Sequence, residues 1–177
     1  MRNAPSNTDD VINSHDVIAR IEELESERAD LAETAEEAAT ELAETTAQIG
    51  KGDGVNESGG CSLTDAEEAE LGDAQTAHAD AVTALADWGA SDEGQELKTL
   101  KALADQCEGY GDWDYGETLI RESYFQSYAQ ELAEDCGMIS KDLAWPCTCI
   151  DWGQACRELK MDYTEVDFDG VSYFMRA

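Results

Sequence analysis

Residues 14–49 read SHDVIARIEELESERADLAETAEEAATELAETTAQI, and the spacing of the apolar positions in this run decides the architecture. Val17, Ile21, Leu24, Arg28, Leu31, Ala35, Ala38, Leu42, Thr45 and Ile49 alternate by four and three. That is a period of about 3.5 residues, the signature of a coiled-coil seam. A helix over this run would be roughly 54 Å long at about 1.5 Å per residue. Ser14 is a good N-cap and Asp16 suits the positive end of the helix dipole. Arg28 is the polar exception in the seam, placed either to fix register or with its charge reaching out to water.

The same alternation returns downstream. Residues 50–60 are rich in glycine and read as a flexible connection. Thr64 then caps a second helix, with Glu67 completing a capping box. Leu71, Ala74, His78, Ala81, Leu85 and Trp88 continue the four-three spacing. Two such helices joined by a glycine loop fold back as an antiparallel hairpin. Both seams are rich in alanine, so the hairpin buries little area and needs a second hairpin or the C-terminal region for support. Gly89-Ala90-Ser91 ends the second helix, and a third carries Leu97, Leu100, Leu103 and Ala104 on one face.

Near Gly109 the composition changes. All six tyrosines and three of the four tryptophans lie from residue 110 onward, enough aromatic bulk for a compact core. Ser123 starts a helix to about Ile139, with Phe125, Tyr128, Leu132 and Cys136 at helical spacing. Asp151 caps a short helix whose candidate buried residues are Trp152, Ala155, Cys156 and Leu159. Residues 163–168 and 171–176 read as strands joined by Asp169-Gly170, the preferred sequence for a type I′ turn. The expected fold is α+β and mostly helical: an N-terminal antiparallel, coiled-coil-like helical hairpin plus a small C-terminal α+β domain ending in a β-hairpin. The expected division is a polar tail at 1–13, an acidic helical hairpin with a third short helix at 14–108, and the α+β domain at 109–177.

The chain carries 41 acidic and 11 basic residues, a formal net charge of -30. Ionised side chains gain nothing from burial, so this excess belongs on the surface. Such a surface repels nucleic acid and anionic membranes as direct ligands and attracts proteins with Lys- and Arg-rich faces. Apolar residues make up 42% of the chain, which argues against wholesale disorder. No run is long and apolar enough for a transmembrane helix, and residues 1–10 lack the apolar segment of a signal peptide. A cytoplasmic location is expected, with Cys61, Cys107, Cys136, Cys147, Cys149 and Cys156 as reduced thiols.

The charge also has a pattern. Asp16, Glu23, Asp30, Glu37 and Glu44 recur every seven residues and form a stripe facing away from the seam. Glu22, Glu33 and Glu36 thicken it. An ordinary soluble coiled coil mixes signs to gain about 0.3–0.5 kcal/mol per helical ion pair. This helix forgoes that gain, which points to a use for the charge. Duplex DNA is itself a rod of regularly spaced anions. An acidic helix can therefore steer and occupy a site built for phosphates. A merely solvated helix and a generally acidic, salt-adapted surface are the plainer readings. The second predicts acid spread evenly, whereas the excess is heavier in the N-terminal half.

Three stretches in the C-terminal third carry a family resemblance. They are Gly116-Glu117-Thr118-Leu119-Ile120-Arg121, Tyr128-Ala129-Gln130-Glu131-Leu132-Ala133-Glu134-Asp135 and Ile150-Asp151-Trp152-Gly153-Gln154-Ala155-Cys156-Arg157-Glu158-Leu159, followed by Asp162-Tyr163 and the terminal hairpin. Residues 113–177 resemble the C-terminal domain of the antirestriction protein ArdA. ArdA proteins are dimers that resemble bent B-form DNA and inhibit type I restriction-modification enzymes without catalytic residues. By that resemblance Glu131, Glu134, Asp135 and Asp142 fall in the antirestriction motif region. The N-terminal half departs from the family, which has small α+β domains where a helical hairpin is read here.

Other constellations carry less. Cys136, Cys147, Cys149 and Cys156 match no zinc-ribbon or finger spacing, and small buried hydrophobes are expected instead. His15 is read as solvated and His78 as packed at the edge of the seam. Trp113, Trp145 and Trp152 are read as core. No nucleophile motif, P-loop or dinucleotide fingerprint is present. Solvated helix carboxylates lack the contrasting environments that separate the pKa values of a catalytic pair. The sequence thus points to a binding protein and not an enzyme, with no cofactor and no metal. Its expected partner is a basic DNA-binding host protein, a restriction or other defence enzyme, bound by a homodimer. The alternative is an acidic coiled-coil structural or assembly protein.

Overall fold

The computed structural model describes residues 4–49, 63–110, 112–140, 144–145 and 147–176. The glycine-rich connection expected at 50–60 lies outside them. The chain is mostly helical α+β, as expected, with four strands in one sheet. The elements in order are β1 (Val11–Asn13), α1 (Ser14–Ile49), α2 (Asp65–Ala90), α3 (Asp92–Cys107), β2 (Thr118–Arg121), α4 (Phe125–Asp135), α5 (Trp152–Leu159), β3 (Tyr163–Phe168) and β4 (Val171–Arg176). The expected boundaries at 14 and 109 are not those of the compact units. One unit comprises residues 1–22 with 96–177, and the other residues 23–95.

In the sheet unit the strand order is β1-β2-β4-β3, all antiparallel. Side chains alternate across a sheet. Ile120 and Phe174, paired across β2 and β4, therefore share a face, and they cluster with Phe125 and Ala129 of α4 and Cys156 of α5. Phe125 meets Tyr163 and Phe174 edge-on, at centroid distances of 5.2 and 5.3 Å. Such aromatic pairs add about 0.5–1.5 kcal/mol beyond the area they bury. Leu119, Met175, Tyr173, Val166 and Phe168 point to the opposite face and are buried there. Buried Leu97, Leu100, Leu103 and Cys107 of α3 belong to the same unit. Gln106 ties α3 to the edge strand: its amide donates to Asp167 O and accepts from Asp167 N, both at 2.9 Å. It thus stands in for a missing neighbouring strand.

The terminal hairpin has the expected turn. Asp169 and Gly170 both adopt positive φ, 52° and 78°, the type I′ geometry that matches strand twist. Asp151 caps α5 by accepting from Gln154 N at 3.0 Å. Thr64 and Glu67 form the expected capping box on α2.

Three local expectations are corrected. Residues 11–13 end the supposed polar tail as strand β1, because Ile12 is buried opposite Leu119. A strand this short is held by a partner more than a hundred residues away, which no local pattern reveals. Ser14 starts α1 but does not act as its cap. Its hydroxyl is fully buried and donates to Trp113 O at 2.6 Å, while its N–H donates to Glu117 O at 2.8 Å. Asn13 Oδ1 accepts from His15 N instead. Of the tryptophans expected in the core, Trp113 is buried, Trp152 is half-buried and Trp145 is 82% exposed. His15, read as solvated, is exposed with its ring at 3.0 Å from Asp114 O.

In the helical unit the seams are as read. Leu24, Ala35, Thr45 and Ala74 are buried, and Leu31, Ala38, Leu42, Ile49, Leu71, His78, Ala81, Leu85 and Trp88 are half-buried. Arg28 is exposed, since a guanidinium stays in water when its stem can reach it. Glu41 and Thr45 of α1 line one depression together with Ala66, Ala69, Glu70, Asp73, Ala74 and Ala77 of α2. The end of the first helix thus lies beside the start of the second, as an antiparallel hairpin requires.

Two measurements test these contacts. Ser14→Ala strands the buried Trp113 carbonyl and is expected to lower unfolding free energy by about 1–3 kcal/mol in urea titration. The capping-box hydrogen bonds from Thr64 hold the Glu67 carboxyl below its ordinary value. A depressed folded-state pKa stabilises above the unfolded value and is lost as pH falls through the folded one. The amide signals at 64–67 are therefore expected to shift together below the usual Glu range, and Thr64→Ala, which removes the hydroxyl but keeps the backbone N–H, to reverse only part of the Glu67 shift.

Candidate functional site

The helical unit is the more acidic part of the molecule. Residues 23–95 carry 20 acidic and 2 basic residues, against 21 and 9 in the rest of the chain. The excess on α1 is arranged on one face. Glu33, Glu36, Glu37, Glu41 and Glu44, with Thr40 among them, line a single shallow surface. Residues three and four apart on a helix are neighbours, which is why this spacing makes a ridge. Asp30 extends it by one turn. All these residues are exposed.

Long helices favour such a display. The Ala- and Leu-bearing seam occupies the opposite side of α1, leaving the acidic residues outward. Thr34 and Thr40 turn their hydroxyls back to Asp30 O and Glu36 O at 2.9 Å, so they leave the carboxylates alone. Among the described residues Asp30, Glu33, Glu36, Glu37, Glu41 and Glu44 make no side-chain hydrogen bond or ion pair.

The remaining residues expected in the surface divide. Glu23 is exposed and Asp16 half-buried, and both are engaged by neighbouring groups. Asp16 and Glu22 lie on the first turns of α1, which belong to the sheet unit. Arg20 there is committed to Glu96, with Nε to Oε1 at 3.0 Å and the second contact at 2.8 Å. Glu131, Glu134 and Asp135 sit together on α4 in the sheet unit. Glu131 accepts from Tyr124 OH at 2.7 Å, and that bond is the main cause holding the Tyr124 phenol above its ordinary range. Glu134 is half-buried and Asp135 exposed. Asp142 lies outside the described residues. The unneutralised ridge is thus shorter than the sequence stripe, running from Asp30 to Glu44. Glu41 is the member that counting by sevens missed; it is four residues from Glu37 and three from Glu44.

The cysteines do not all pack as small hydrophobes. Cys107 and Cys156 are buried, Cys147 is half-buried, and Cys136 and Cys149 are exposed. Burial pushes the Cys107 thiol up to about 11, leaving it protonated and unreactive near neutrality. Among the described residues no group of three or more His, Cys, Asp or Glu is placed to hold a metal, and no helix is long and apolar enough to cross a membrane.

Comparison with known proteins gives no match: no family model, no curated protein and no solved structure is significantly similar to the chain. The likeness to ArdA rests on the quoted motifs alone.

Like charges side by side on α1 repel. Replacing Asp30 with Asn and Glu33, Glu37 and Glu44 with Gln is expected to keep the helix content and raise the melting temperature at low salt. At about 1 M salt, where the screening length falls to roughly 3 Å, the gain should vanish. Circular dichroism melts at both salt levels check it.

Proposed function

We propose that this protein is a DNA-mimic inhibitor of a host nucleic-acid-binding defence system, with restriction-modification enzymes the first candidates. It acts by occupying the enzyme's phosphate-binding site and performs no catalysis. One observation carries the reading: the exposed ridge from Asp30 to Glu44 on α1, uncompensated among the described residues. It presents six carboxylates along about 21 Å of helix axis, or about one per 4 Å. One strand of B-DNA presents a phosphate roughly every 3.4 Å. A site that spaces its Lys and Arg for one strand therefore finds a similar charge density here.

Energetics favour a cationic partner over none. The ridge lacks the mixed-sign pairs that usually support an exposed helix, so repulsion among its carboxylates is relieved when a basic surface approaches. The resemblance of residues 113–177 to ArdA supports the same class, with Glu131, Glu134 and Asp135 as a second acidic patch and the homodimer as the active form. The alternative of an acidic coiled-coil assembly protein predicts self-association through the seams and indifference to DNA.

The test is competition. A restriction enzyme or other defence nuclease retained on immobilised protein should be released by duplex DNA and by moderate salt. Binding should fall steeply between about 50 and 200 mM salt, as it does for proteins that neutralise several phosphates. The fourfold variant at Asp30, Glu33, Glu37 and Glu44 should lose most of the affinity. A complex untouched by salt and DNA would sink the proposal; full activity in the variant would exclude α1 as the contact.

A further inference from the structure

One end of the sheet forms a cleft that the acidic ridge does not use. Tyr163 of β3 pairs with Arg176 of β4, and Leu119 of β2 with Met175. One residue further along, Thr118 comes level with Arg176. The alternation of side chains then puts Thr118, Arg176 and Tyr163 on the face that carries Ile120 and Phe174. Tyr128 of α4 and Ile120 complete the walls, and Asp112 and Glu117 enter from the segment before β2. The cleft encloses about 340 Å³ and belongs wholly to the sheet unit.

Its polar groups fall into two sets. The first set donates. Tyr128 OH and Tyr163 OH are 3.0 Å apart, and since one must donate to the other, one phenolic proton is left over. Burial is the main cause raising the Tyr163 phenol, which keeps it protonated. Among the described residues the Arg176 guanidinium makes no ion pair and the Thr118 hydroxyl no hydrogen bond. The second set accepts. Glu117 uses one carboxylate oxygen on Thr118 N at 3.1 Å, leaving the other available, and the Asp112 side chain caps nothing.

Charge decides among ligands. A simple anion must approach a molecule of net charge -30. A simple cation meets Arg176 here and finds many freer carboxylates elsewhere. A molecule carrying both signs and no net charge is indifferent to the overall field and satisfies both sets. We propose that this cleft binds a small zwitterion of the α-amino-acid class, its carboxylate on Arg176 and the tyrosine hydroxyls and its ammonium on Glu117 and Asp112. The site is independent of the ridge on α1, and its test involves no target enzyme.

The experiment is an amide and side-chain NMR titration of the full chain with L-alanine, L-glutamine and L-leucine. L-alaninamide, which lacks the carboxylate, and N-acetyl-L-alanine, which lacks the ammonium, serve as controls. At least one amino acid should give saturable shifts confined to residues 112–120, 128, 163 and 176. The two controls should bind at least about tenfold more weakly than L-alanine or not at all, a difference of about 1.4 kcal/mol. Arg176→Met, Glu117→Gln and Tyr163→Phe should each weaken binding while signals elsewhere stay in place. Tyr163→Phe deletes only a hydroxyl, so it reports even if a charge variant misfolds. Absence of saturable shifts with all three amino acids at about 100 mM, well beyond a millimolar dissociation constant, overturns the proposal. So does binding of a single-charge control as tight as that of L-alanine.

Discussion

Carboxylates without a cation to face must stay in water, and the helical unit is organised around that requirement. With 20 acidic residues and 2 basic ones in residues 23–95, nearly every position off the seams is committed to solvent. What remains for packing is a narrow apolar line on each helix. Leu24, Ala35, Thr45 and Ala74 are its buried members, and most of the others are half-exposed. Alanine suits such a line because it lets helices approach and adds helix propensity without side-chain entropy. It also limits the apolar area removed from water, so the charge display and a large core exclude one another here.

The sheet unit solves a different problem. It holds 9 of the 11 basic residues. Two of these are used locally in ways a surface pair is not. Arg20 grips Glu96 with two parallel contacts, a geometry that gains over a single one. Lys160 pairs with Glu122 at 3.0 Å while its ammonium sits 3.9 Å from the Phe174 ring centroid. That position covers one side of the aromatic cluster with a cation, a favourable use of the ring face. Tyr173 OH and Ser14 Oγ meanwhile reach the Asp9 and Trp113 carbonyls, each at 2.6 Å. These bonds attach the first residues of the chain to a sheet made almost wholly from the last sixty.

The proposed mimicry of a polyanion draws on this division of labour. Charges on a flexible chain would collapse onto any partner in many ways, and their ordering entropy would oppose binding. On a long helix they are held in place before the partner arrives. Under the proposed function, the repulsion that the free protein carries is part of the driving force for association. The sheet unit, with 21 acidic and 9 basic residues, carries the smaller acidic excess.

Local chemistry was legible from the sequence wherever one run of residues contained its own reason. The seam of α1, the Thr64–Glu67 capping box, the Asp151 cap and the Asp169-Gly170 turn are all settled by neighbours within a few residues. So was the acidic face of α1, because helical periodicity alone places it. The tertiary structure decided what depends on distant partners. Strand β1 exists because Leu119 covers Ile12; β2 is central, so its four residues show no alternation to read. Ser14 was drawn from a capping role to the Trp113 carbonyl, Asp16 and Glu23 acquired partners that shortened the free ridge on α1, and Glu131 on α4 accepted from Tyr124. The cleft at Thr118, Tyr163 and Arg176 is likewise invisible in one dimension, since strand register brings those residues together and register is set by a sheet assembled from both ends of the chain.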